Sequence, residues 1–152
     1  MWLKIALFPC IFFPLLKTSG KKSMPKTIRQ TVTFNASPNE VFELLMDSKK
    51  HSKFSGEKAT ISRKIGGKFS AYDGYCFGTN LELVQDKKIV QTWQTTGWKE
   101  SEISRVTFVF TKVNEGTRLT FTHSGVPDYD FASIKEGWKE FYWEPMKRAL
   151  EK

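Results

Sequence analysis

The sequence predicts an α+β domain in which an antiparallel sheet bends around a C-terminal helix. Three observations carry this expectation. From residue 59 to residue 124, strand-like stretches follow one another with only turn residues between them, and neighbours so connected run antiparallel. From Ile134 to Leu150 the apolar residues change to helical spacing. A helix-start signal, Ser37-Pro38-Asn39-Glu40, stands directly after one earlier strand.

Thr27 to Asn35 alternates, with Ile28, Val32 and Phe34 on one side and Arg29, Thr31 and Thr33 on the other, as a half-buried strand does. Ser37 then caps a helix, Pro38 fits its first turn, and Glu40 completes a capping box. Val41, Leu44 and Leu45 give this helix an apolar face, so it should run to about Asp47. A second short helical piece is expected from Lys49 to Phe54. The strands that follow are read as Ala59–Ile65, Lys68–Tyr72, Tyr75–Val84, Lys88–Thr95, Glu102–Lys112 and Thr117–Ser124, with Asn114-Glu115-Gly116 turning between the last two.

The stretch GGKFSAYDGYCFG, Gly66 to Gly78, holds four of the ten glycines and invites comparison with a phosphate-cradling loop. Such a loop presents successive N–H groups to an anion and opens into a helix or a Lys-Ser/Thr pair. Here Lys68 runs into Phe69 and a β pattern, and Asp73-Gly74 reads as a two-residue hairpin turn. That turn sets Ala71 opposite Cys76 and Phe69 opposite Gly78. Leu81 and Leu83 have the other parity, so a bulge is expected near Gly78 to Asn80, bending the strand. The sheet would bend around Ile134, Trp138, Phe141, Tyr142, Pro145, Ala149 and Leu150, a broad aromatic stripe that Pro145 should kink or divide.

A length of 152 residues suits one domain with a proper core. Thirteen Phe and five Trp must fill either that core or a cavity. The net charge of +8 would ordinarily suggest nucleic acid, yet residues 1–23 carry four lysines and no acid, leaving +4 on the rest. Lys49, Lys50, His51 and Lys53 form the densest later cluster. No stacking aromatics accompany it, so it reads as a solvated helix end and no nucleic-acid partner is expected. Cys10 and Cys76 make neither a disulfide framework nor a metal spacing, and no cofactor motif is present. The apolar run Ile5–Leu16 is too short to span a membrane, is interrupted by Pro9 and Pro14, and lacks a small-x-small cleavage site. Residues 1–23 are therefore expected to be an extension that is removed or lies upstream of a true start at Met24, with an export signal as the alternative. Residues 24–152 are the domain, expected in the cytoplasm and outside any membrane.

The order of elements, with GGKFSAYDG, IVQTWQTTGW, SRVTFVF, TRLTFTHSGVP and GWKEFYWEPMK, resembles the family of the activator of heat-shock-protein-90 ATPase, specifically its C-terminal domain. The resemblance covers nearly everything from Thr27 onward. It implies a START-like helix-grip fold, a six- to seven-stranded curved sheet gripping a long C-terminal helix with a cavity between. It also implies a heat-shock-protein-90-type chaperone as partner. The full co-chaperone resembles two domains in tandem, and these 152 residues are expected to hold the C-terminal one without room for the N-terminal one.

The cavity would be lined by Phe69, Ala71 and Cys76 from the hairpin, by Trp93, and by Phe108 and Phe110. Phe121 and His123 would add a further strand's face, and Trp138, Phe141 and Tyr142 the helix. Two uses of those residues are open: plain core, or a wall around a hydrophobic small molecule oriented by Tyr72, Tyr142 or His123. His123 is expected to be a core or rim histidine held by hydrogen bonds, and His51 to be exposed. Asp73, Asp128 and Asp130 form no paired-carboxylate or metal site, so no catalytic role is expected.

Overall fold

The computed structural model describes residues 24–151; the expectation for residues 1–23 lies outside them. Seven antiparallel strands form one sheet in the order β1-β7-β6-β5-β4-β3-β2. β1 is Lys26–Phe34, β2 Thr60–Ile61, β3 Lys68–Ala71, β4 Cys76–Val84, β5 Lys88–Thr95, β6 Ser104–Val113 and β7 Gly116–Val126. Helices α1, Pro38–Met46, and α2, Ser48–Ser55, separate β1 from β2. After a single 3-10 turn at Asp128–Asp130, helix α3, Phe131–Trp138, passes through a π-helical turn, Lys139–Trp143, into α4, Glu144–Leu150. This is the helix-grip architecture expected from the sequence.

Local chemistry sets the first helix as foreseen. Ser37 Oγ accepts from the Glu40 N–H at 3.2 Å, and Glu40 Oε1 accepts from the Ser37 N–H at 2.9 Å. Asp47 ends α1 and caps α2, its carboxylate accepting from the Lys50 N–H at 2.9 Å.

The hairpin carries the expected register, Ala71 opposite Cys76 and Phe69 opposite Gly78. Its turn is the four residues Tyr72–Tyr75 rather than the expected two, with Tyr72 at φ 52°, Asp73 at φ 54° and Gly74 at φ 92°, and the Tyr75 N–H donates to the Tyr72 carbonyl at 3.1 Å. Gly78 has no room for a side chain, since a Cβ there would stand 1.9 Å from the Thr92 carbonyl oxygen and 2.7 Å from the Phe69 ring. The glycine permits close strand packing and takes no part in an anion cradle.

Three further expectations need correction. The strand read as Ala59–Ile65 is only Thr60–Ile61. Beyond it, the buried Asn80 carboxamide donates to the carbonyls of Ser62 at 2.7 Å and Lys64 at 3.0 Å, so the backbone there is committed to a side chain rather than to a ladder. The bulge falls between Asn80 and Glu82 rather than between Gly78 and Asn80. It leaves Leu81 outside and turns Leu83 against the core.

The third correction concerns the C-terminal stripe. In the π-helical turn Glu144 N–H donates to the Lys139 carbonyl, five residues back, which inserts one residue into the helical phase. Of the expected stripe, Ile134, Trp138, Tyr142 and Leu150 are buried, Phe141 and Pro145 are half-buried and Ala149 is exposed, while Trp143 and Met146 join the core unforeseen. Pro145 falls in the first turn of α4, directly after the π-helical turn that separates the two α-helical segments.

Candidate functional site

The grip of sheet on helix is nearly full. Between them remains a void of ≈20 Å³, bounded by Phe69, Trp93, Phe108, Trp138, Tyr142 and His51 among others. A single water needs about 10–15 Å³ of such space, so the void suits one water and no organic ligand. Phe110 meets Phe42 edge-on at 5.6 Å, and Phe121 lies 5.1 Å from Phe108 and 4.4 Å from Trp138. Ala71, Phe110, Phe121 and His123 do not border this void and are buried in the core.

His123 closes a chain of hydrogen bonds. Trp138 Nε1–H donates to His123 Nδ1 at 3.0 Å, which leaves the proton on Nε2, 2.7 Å from Ser104 Oγ. Ser104 in turn donates to the Trp93 carbonyl at 2.7 Å. Burial pulls His123 down to about 3, so the ring stays neutral and its two nitrogens are both occupied. The hydrogen-bonded core histidine expected from the sequence is found.

His51 overturns its expectation. It sits in the middle of the basic run, yet α2 turns it inward and it is buried. Its Nε2 lies 3.1 Å from the Tyr142 hydroxyl, its ring 4.7 Å from Phe54, and its Nδ1 has no partner. Desolvation lowers it to about 4. Reading only the charge of Lys49, Lys50 and Lys53 missed this, whereas His51 and Phe54, three residues apart on the second helical piece, were the available signal.

Larger space lies outside the grip. A groove of ≈650 Å³ runs between the β3–β4 turn and the α3–π segment, walled by Tyr72, Tyr75, Trp93, Trp138, Phe141 and Tyr142. Cys76 and Ile134 contribute to its floor, and Ser55, Glu57, Asp73 and Thr96 to its rim. Of the candidate cavity residues, Cys76, Trp93, Trp138, Phe141 and Tyr142 reach this groove, and Trp93, Trp138 and Tyr142 separate it from the internal void. Tyr75 is a groove residue that parity alone did not reveal, because it belongs to the turn rather than to a strand face.

Two unusual backbone features meet at the groove. Tyr72 holds φ 52°, a left-handed conformation rare for a bulky side chain. The Phe141 carbonyl belongs to the π-helical turn. The Tyr72 hydroxyl donates to that carbonyl. The hairpin turn and the π-helical turn are thus joined by one hydrogen bond that fastens the hairpin to the helix. Burial raises the Tyr72 and Tyr75 phenols and pushes the Cys76 thiol up to about 12. These side chains present aromatic surface and neutral hydroxyls, suited to contact rather than to proton transfer.

Residues 35–151 match the family model described as Activator of Hsp90 ATPase homolog 1-like protein. An activator of 90 kDa heat shock protein ATPase homolog from Dictyostelium discoideum is 32% identical over 134 residues, covering 88% of this chain and 35% of that protein. The human activator of 90 kDa heat shock protein ATPase homolog 1 is 29% identical over 153 residues, covering 90% of this chain and 45% of that protein. The chain thus spans less than half the length of these curated relatives. Among solved structures, an HSP90 activator from Plasmodium falciparum superposes with a TM-score of 0.74 at 28% identity, covering 84% of this chain and 96% of that one. A protein from Mesorhizobium loti shares the fold, with a TM-score of 0.71 at 22% identity over 82% of this chain and 96% of its own.

Proposed function

The chain belongs to the Activator of Hsp90 ATPase homolog 1-like family, and from that premise we propose a noncatalytic, co-chaperone-like module that binds a heat-shock-protein-90-type chaperone and raises its ATP turnover. One observation carries the reading. The Plasmodium falciparum HSP90 activator matches this chain over 96% of its own length, so the likeness does not depend on a second domain. The longer curated relatives support the same partner, although more than half of each lies outside the match. The reading places the domain in the cytoplasm, and no helix among the described residues is long and apolar enough to cross a membrane.

A carrier of a hydrophobic small molecule would need room between sheet and helix, and ≈20 Å³ does not favour it. The chaperone reading is tested by titrating the purified chain against a purified heat-shock protein 90 while following ATP hydrolysis. Saturable binding with a rise in turnover is expected. Absence of both would remove the reading.

A further inference from the structure

The basic run of α2 borders a groove on the far side of the helices. Lys50 and Lys53 stand on the rim of a second groove, ≈520 Å³, formed where α1, α2 and α4 meet. Arg148 of α4 faces them across it. The floor is apolar: Leu44 and Leu150 are buried and Phe54 is half-buried. Among the described residues, none of the three cations has a carboxylate within ion-pair distance. Glu40 also lines the groove, its carboxylate completing the box on Ser37, while Glu43 grips Arg63 through two bonds of 3.0 and 2.7 Å and Asp47 caps α2, both meeting the Lys50 charge only through its field.

We infer that this groove is a docking site for an acidic segment of the partner protein, carrying an apolar side chain that enters the floor while its flanking carboxylates meet Lys50, Lys53 and Arg148. The inference rests on the co-chaperone reading and adds the surface and the chemistry of the contact. A concave apolar floor supplies binding energy that a flat charged surface lacks, and three cations against the one lining carboxylate, Glu40, select an acidic rather than a basic segment. The aromatic groove beside Tyr72 has the opposite rim, with Glu57 and Asp73. The outer face of the sheet also carries unpaired arginines, but there Arg29 stands opposite Thr122, Arg105 opposite Thr92 and Ser124, and Arg118 opposite Thr33 and Thr111. Those three have hydroxyl neighbours and no apolar floor, which makes that face a matched control.

The test measures binding of the full chain to purified heat-shock protein 90 for the parent and three variants, each checked for an unchanged melting temperature. Lys50→Glu/Lys53→Glu/Arg148→Glu should weaken binding by about ten-fold or more, and the parent's affinity should fall as salt rises from about 50 to about 300 mM. Ala149→Trp fills the groove from an exposed position without changing charge and should weaken binding by about ten-fold as well. Arg29→Glu/Arg105→Glu/Arg118→Glu makes the same change in net charge on the sheet and should leave binding unaltered. If the parent binds and either groove variant binds as well as the parent, the groove assignment is overturned while the co-chaperone reading stands. Equal weakening by the sheet variant would mean diffuse electrostatics and overturn the assignment too. A small amphiphile retained in native mass spectrometry and released by Ala149→Trp would give the groove to a different occupant. A parent that does not bind removes both readings together.

Discussion

The two buried histidines mark two ends of one core built to different standards. Around His123, the chain Trp138 to His123 to Ser104 to the Trp93 carbonyl occupies both ring nitrogens, with contacts of 3.0, 2.7 and 2.7 Å. Around His51, one nitrogen is paired and the other is buried without a partner. The same end holds the positive-φ Tyr72 and, in the helix facing it, the π-helical turn. Fully satisfied polar chains lock a core into one arrangement, whereas unpaired groups and strained backbone persist only where surrounding structure holds them. The open groove of ≈650 Å³ adjoins the second end, at Tyr72 and Tyr142. Stability is concentrated at one end of the grip, and adaptable surface at the other.

The contrast predicts its own largest effect. Trp138→Ala removes a side chain that touches both ends, donates to His123 and stacks on Trp143 at 5.6 Å. It should cost about 3–5 kcal/mol by denaturant unfolding. A loss below about 1 kcal/mol would mean that the paired end is not the stable one.

Acid should strike both histidines, and a variant can separate them. Each has a folded-state value below its ordinary one, about 4 for His51 and about 3 for His123. The unfolded chain therefore binds more protons as pH falls below about 6.5, so stability present above that pH is lost on acidification toward 4. His51→Phe keeps an aromatic ring beside Phe54 and removes the unpaired nitrogen. It should flatten the acid side of the stability curve by roughly 3 kcal/mol between pH 6.5 and 4, the His123 contribution remaining. An unchanged slope in chemical denaturation across that range would show that His51 does not titrate as its burial requires.

The smallest expected effect tests the fastening of the hairpin. Tyr72→Phe deletes only the hydroxyl that serves the Phe141 carbonyl. It should cost about 1 kcal/mol globally, while raising hydrogen exchange selectively at Gly74 and Tyr75 in the turn. Exchange that rises equally in β6 and β7 would erase the distinction between the two ends.

Much of this architecture was legible in the residues because it depends on neighbours. The capping box of Ser37 and Glu40 needs three residues of spacing, and the Ala71–Cys76 register needs only the turn around Asp73 and Gly74. The boundaries of β5, Lys88–Thr95, follow from its own pattern and its turns. The site was less legible. Periodicity grouped Phe69, Phe108, Phe110 and Phe121 as cavity candidates, yet the space beside the gripped helix closes to ≈20 Å³ and the larger grooves lie outside it.

The sequence by itself determined what short-range sterics and hydrogen bonds decide: strand parity, helix starts, hairpin register, and the order of elements that marks the family. Tertiary structure alone decided the burial of His51 inside a lysine run, the loop that Asn80 makes of residues 62–64, and the meeting of Lys50, Lys53 and Arg148. It also decided what the Phe141 carbonyl meets: the hydroxyl of Tyr72, 69 residues away in the chain, donates to it. Such pairings depend on how the helix settles in the sheet, and one extra residue in its π-helical turn redirects every side chain after it.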